Sequence, residues 1–96
     1  MILNVIIFKN KRIDAFTVPQ FDDHEPEKCA LQLARSLKLN EGKSEINTFK
    51  YLEMYYFGTF DDQTGKMELL SEPKLLLDCT KFFKQEEVVD VKEGKD

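Results

Sequence analysis

Two groups of side chains in this sequence have the types and spacing to hold a ligand. Tyr51, Tyr55 and Phe57 fall within Tyr51-Leu52-Glu53-Met54-Tyr55-Tyr56-Phe57. In an extended strand successive side chains point to opposite faces, so these three share one side with Glu53, while Leu52, Met54 and Tyr56 take the other. Aromatic rings on an open sheet face form a stacking platform, and base–aromatic stacking is worth roughly 1–3 kcal/mol per base without sequence readout. Lys9, Lys11 and Arg12 cluster on one turn and Lys50 adjoins Tyr51, which supplies cations for phosphates. The candidate nucleic-acid-binding set is Lys9, Lys11, Arg12, Lys50, Tyr51, Tyr55 and Phe57. The same residue types are met more often as core or dimer contacts beside a solvated turn, and a symmetric dimer through that face disposes of the rings equally well.

For catalysis the sequence is poor. His24 is the single histidine and sits in a polar loop. With Cys29 it forms an i, i+5 pair without further Cys or His ligands nearby, too few for a zinc site. Asp61 and Asp62 lack a third acidic ligand within their loop, and turn formation explains them. No Gly-rich phosphate loop, nucleophile elbow or paired-carboxylate motif is present. The expectation is a protein that is not an enzyme, with no catalytic residue, no metal and no cofactor.

Ninety-six residues make one domain of modest core, with roughly 60–65% of the unfolded chain's surface removed from water on folding. A hydrophobic content of 42% excludes wholesale disorder. The net charge of −4 opposes bulk attraction to nucleic acid or anionic lipid and leaves a local patch as the means of contact. No run of about 18 apolar residues predicts a membrane-spanning helix. Ile2 to Phe8 lacks the flanks of a signal peptide and reads as a first strand, which predicts a cytosolic protein. Cys29 and Cys79 fall among apolar neighbours in predicted helices and read as two packed, reduced thiols.

The elements that must position these residues follow from pattern. Met1 to Phe8 reads as a strand, Lys9 to Arg12 as a basic turn, and Ile13 to Val18 as a returning strand ended by Pro19. Gln20 to Glu25 reads as a polar connection with Phe21 anchored in the core. Pro26 to Leu39 is the clearest helix, with proline at its start, acids near the positive dipole end and Arg35 and Lys38 near the negative one. Ala30, Leu33, Ala34 and Leu37 make its buried stripe, and Gly42 is its left-handed stop. Glu45 to Lys50 reads as loop or a short turn of helix. The aromatic strand then turns at Asp61 to Gly65 and returns through Met67 to Leu70. Ser71-Glu72-Pro73 reads as the start of a second helix, with Leu75, Leu76, Cys79, Phe82 and Phe83 along one face over about three turns.

This order, strand-strand-helix-strand-strand-helix, predicts an α+β domain over residues 1–83. Its four-stranded antiparallel sheet carries two helices on one face and leaves the opposite face open. Residues 84–96, where Val88, Val89 and Val91 stand among charges, read as a loosely ordered tail.

The chain resembles the small non-structural protein of gokushoviruses, single-stranded DNA phages of the microvirus family. The likeness rests on the short first strand, Ala15-Phe16 with Pro19 and Phe21, the run Tyr55-Tyr56-Phe57-Gly58-Thr59-Phe60-Asp61-Asp62-Gln63-Thr64-Gly65-Lys66, and Glu72-Pro73. It covers residues 1–83; the Gln20–Glu25 connection and the tail depart from it. The resemblance implies a protein of the host-cell cytoplasm, made during infection and absent from the mature virion. It would act in viral DNA replication or genome packaging, and the leading expectation is a partner in single-stranded viral DNA. The alternative is a protein–protein adaptor or homodimer whose open sheet face engages a replication or procapsid protein, with no membrane partner. The resemblance brings no catalytic residues with it.

Overall fold

The computed structural model describes residues 1–83 and shows an α+β domain built on one antiparallel sheet. Five strands form it: β1 (Ile2–Asn10), β2 (Ala15–Phe16), β3 (Gln20–Asp22), β4 (Leu52–Asp61) and β5 (Met67–Asp78). β1 and β4 are central; β5 lies on the free side of β4, and β2 and β3 share the other side of β1. One α-helix, α1 (Pro26–Leu39), connects the halves, and 3-10 turns cover Ser44–Phe49 and Cys79–Phe82.

The first half is more broken than its pattern suggests. The expected strand Ile13–Val18 reduces to two residues in β2. The expected polar connection instead contains β3, paired through Asn4↔Asp22, Val5↔Phe21 and Ile6↔Gln20. Pro19 separates the two because it has no N–H to give the ladder. Phe21, expected in the core, is exposed and lies against Phe60 with ring centres 5.1 Å apart.

The second correction is larger. No α-helix starts at Pro73: β5 continues to Asp78 and only then closes into the 3-10 turn. Among the described residues the sheet thus carries one α-helix, with a short 3-10 helix at Cys79–Phe82 inside the span expected for the second. Leu75-Leu76-Leu77 satisfies a helical stripe and a strand equally, and the waiting backbone groups of β4 decide for the strand, since buried N–H and C=O groups need partners. Pro73 is tolerated because β5 is an edge.

α1 has its expected bounds. Ala30 and Leu37 are buried and Leu33 packs beside them. Asn40 caps the end by donating from its backbone N–H to the Ser36 carbonyl at 3.0 Å, and Gly42 has φ +86°, a left-handed conformation that suits glycine. The helix face meets Ile6, Phe8, Ile46, Met54 and Cys79, with Leu52, Tyr56, Leu76, Phe82 and Phe83 around them. Cys29 and Cys79 are free thiols. Burial pushes the Cys79 thiol up to about 12, as expected when the charged form loses water.

A bulge in β4 sets which residues share a face. Ile6 pairs with Tyr56 but Val5 pairs with Gly58, so Phe57 is an extra residue in the ladder and side-chain parity inverts beyond it. On the other side Tyr56 pairs with Lys74 and Gly58 with Leu69, so residues 70–73 loop out opposite the same bulge. Gly58 is required there: its φ is +148°, and a Cβ would collide with the Glu68 carbonyl and come within 2.8 Å of Leu69 Cα. The bulge brings Phe60 onto the face that carries Tyr55, away from α1. That face is not bare, because Val5 and Ile7 are buried on it beside their pairing partners Phe21 and Tyr55. The expected charged tail lies outside the described residues.

Candidate nucleic-acid interface

The basic turn after β1 and the start of β4 are joined by backbone. The Lys11 N–H donates to the Tyr51 carbonyl at 2.8 Å, and Asn10 Oδ1 accepts from the Arg12 N–H at 2.9 Å, tightening the turn. Asp14 closes it with φ +54°, a conformation short polar side chains tolerate. Residues about forty positions apart thereby occupy one end of the sheet.

Cations flank the rings at that end. The Arg12 guanidinium lies 5.4 Å and Lys50 Nζ 5.6 Å from the centre of Tyr51. Lys9 Nζ lies 5.6 Å from the Phe16 ring, which meets Tyr55 edge-on at 5.9 Å. Such contacts hold a cation over a ring face at about 0.5–1 kcal/mol where solvent reaches them. Lys9 also pairs with Asp14 at 3.1 Å and Lys11 with Glu53 at 3.7 Å. The Tyr55 hydroxyl donates to Glu53 at 2.9 Å; desolvation, then the hydrogen bond to this carboxylate, holds its phenol above the usual range.

The structure therefore brings Lys9, Lys11, Arg12, Lys50, Tyr51 and Tyr55 together, and the core cluster under α1 includes neither Tyr51 nor Tyr55. Tyr51 is the residue just before β4 rather than within it. Phe57 stands at the bulge, outside these ring and charge pairs. Phe16 is the ring that sequence reasoning missed. It pairs opposite Lys9 in the ladder, and the Lys-turn-Phe order of a tight hairpin is the signal that points to it.

Asp22, Asp23 and His24 each place one potential ligand atom within 4.8 Å of the others. His24 Nδ1 lies 2.7 Å from Asp22 and 3.1 Å from Asp23, so these groups satisfy one another in an exposed turn. The Asp22 hydrogen bond and the two carboxylate charges push the imidazole above its ordinary value. Asp61 likewise spends its carboxylate on the turn, accepting from the Gln63 N–H at 2.9 Å, a hydrogen bond that lowers its pKa. Among the described residues no helix is long and apolar enough to cross a membrane.

Comparison of the chain with protein-family models, with curated proteins and with solved structures gives no match.

Proposed function

We propose that this protein is a non-enzymatic, single-stranded-DNA-binding accessory protein, acting in the DNA replication or genome packaging of a phage of the kind its sequence resembles. The observation that carries the reading is the joint placement of Arg12 and Lys50 around the Tyr51 ring at the end of the sheet. A base stacked near this ring and near Tyr55 and Phe16 leaves its phosphates within reach of Lys9, Lys11, Arg12 and Lys50. The carboxylate that competes for Lys9 is a weak obstacle. Asp14 is largely exposed, and exposed ion pairs contribute about 0–1 kcal/mol, so phosphate displaces it at small cost. The net charge of −4 limits contact to this patch and keeps the salt dependence shallow. Fluorescence anisotropy with labelled oligonucleotides tests the reading. Binding at low salt that weakens in Tyr51→Ala and Tyr55→Ala supports it; equal binding by the variants or none by the wild type removes it.

A second reading, a homodimer or adaptor for a replication or procapsid protein, is favoured by a different observation. Phe16, Phe21, Met67, Leu69 and Leu75 are all exposed, and register places them on the face away from α1. Several large apolar side chains exposed on one sheet face fit a protein contact. A tight dimer in sedimentation, together with no oligonucleotide binding, selects this reading over the first.

A further inference from the structure

One concave site lies beside the candidate interface and was not foreseen from sequence. It is a groove of about 590 Å³ whose walls include Lys43, Ser44, Lys50, Lys81, Phe82 and Phe83. Two segments distant in sequence build it. The left-handed turn at Gly42 swings the chain away from the end of α1, the 3-10 turn Ser44–Phe49 forms one wall, and the 3-10 turn Cys79–Phe82 brings the other wall from the end of β5. Phe82 and Phe83 also pack against the core, so the aromatic wall is anchored by burial.

The lining has the chemistry of a site for a phosphorylated aromatic ligand. Three lysines outnumber one carboxylate, Glu41, and Ser44, Asn47 and the two rings complete the polar and aromatic lining. Lys43 and Lys81 are exposed, so their ammonium groups reach a ligand without a desolvation cost of the kind that burial imposes. The volume lies within the range of small-ligand pockets, about 300–1,000 Å³. Lys50 belongs both to the groove and to the cluster around Tyr51, which makes the two sites neighbours along one surface.

We propose that this groove binds a nucleotide through its phosphate, with Lys43, Lys50 and Lys81 on the anion and Phe82 or Phe83 against the base, and that it extends the path of a single strand past Tyr51. The extension rests on the single-stranded-DNA reading; nucleotide binding in the groove does not.

Two measurements separate them. In an NMR titration, thymidine monophosphate should shift the amides of Gly42, Ser44, Phe82 and Phe83 at concentrations where thymidine does not, and Lys43→Ala/Lys81→Ala should abolish the shifts. No shift, or equal shifts with thymidine, overturns the groove as a phosphate site. Inorganic phosphate is a third arm, and shifts as large as the nucleotide's remove the aromatic contribution. In the anisotropy assay with a dT15 oligonucleotide, Lys43→Ala/Lys81→Ala should flatten the salt slope by about 1.4, at roughly 0.7 for each phosphate no longer neutralised. Lys28→Ala/Lys38→Ala, the same charge change on exposed sites of α1, should leave the slope unaltered. An unchanged slope in the groove variant, or equal flattening in both, overturns the shared path. A wild type that binds no dT15 removes the DNA reading and the path together, while the nucleotide titration still decides the groove.

Discussion

The guanidinium of Arg12 lies 5.4 Å from the centre of the Tyr51 ring, and the Lys11 N–H fastens the turn that carries it to the Tyr51 carbonyl. A hydrogen bond between the two backbones thus places a cation over an aromatic face, although neither residue lies within a strand.

Replacing that ring should weaken DNA binding specifically. Tyr51→Ala removes one stacking surface, worth roughly 1–3 kcal/mol, so affinity for an oligo-dT probe should fall about 5- to 150-fold while thermal stability changes little. Tyr56→Ala offers the contrast: Tyr56 packs against the core, so its loss should lower the melting temperature. Equal effects of both variants on binding would remove Tyr51 from the interface.

Affinity should decline with salt at a slope set by the cations that meet phosphate. Contact by Lys9, Lys11, Arg12 and Lys50 gives about −0.7 each, or roughly −3 in log–log form before any contribution from the other groove lysines. Arg12→Ala should make the slope shallower by about 0.7. A slope near zero would mean that rings alone, or nothing, hold the strand.

Gly58→Ala should be strongly destabilising, by about 3 kcal/mol or more, because both causes act together. The residue has φ +148°, and the added methyl meets the Glu68 carbonyl and Leu69 Cα; strained backbone and close contact each cost on the order of 1–3 kcal/mol. Urea unfolding provides the measurement. A loss below about 1 kcal/mol would show that the bulge reorganises freely.

His24 should titrate above 6.5 in the folded protein, raised first by its hydrogen bond to Asp22 and then by the charges of Asp23 and Asp22. The linked stability is therefore fully present below the unfolded value of 6.5 and is lost as pH rises through the higher folded value. His24 is exposed, so the effect on melting is small and proton NMR of the ring is the suitable readout. Asp22→Asn should return the midpoint towards 6.5; an unchanged midpoint would show that this pair does not form in solution.

Leu37 is fully buried where α1 crosses the sheet, and Leu37→Ala should cost about 2–5 kcal/mol. Leu39→Ala, two residues on and exposed, should change stability by less than about 0.5 kcal/mol. Similar losses in both would contradict the assigned helix face.

Local chemistry carried much of the fold in this chain. Pro26 at the first turn, the Ala30-Leu33-Leu37 stripe and Gly42 at the stop define α1 by capping and periodicity, which depend only on neighbours in sequence. Asp61 to Gly65 defines a turn in the same way: the Asp61 carbonyl accepts from the Gly65 N–H at 2.7 Å. The outcome differed wherever two structures satisfy one pattern. Leu75 to Leu77 fits helix and strand alike, and Gln20 to Asp22 is too short and polar to announce a strand; in both cases an unpaired neighbour strand, β4 or β1, made the choice.

The candidate interface divides along the same line. Its side-chain types were readable, because rings beside lysines on a strand and a turn are a local composition. Tyr51 and Arg12 became partners only through a backbone bond between distant segments. The alternation rule that grouped Phe57 with Tyr55 reaches no further than that residue, because parity inverts beyond the bulge, and the bulge rests on Gly58 accepting a backbone approach that no Cβ permits. The groove at Lys43, Lys50 and Lys81 had no local signature at all, since its walls come from two segments distant in sequence that meet only after the sheet has formed. Propensity, capping and turn chemistry act over a few residues and were set by the sequence alone; register, parity and concavity depend on how strands find partners, and the tertiary structure decided them.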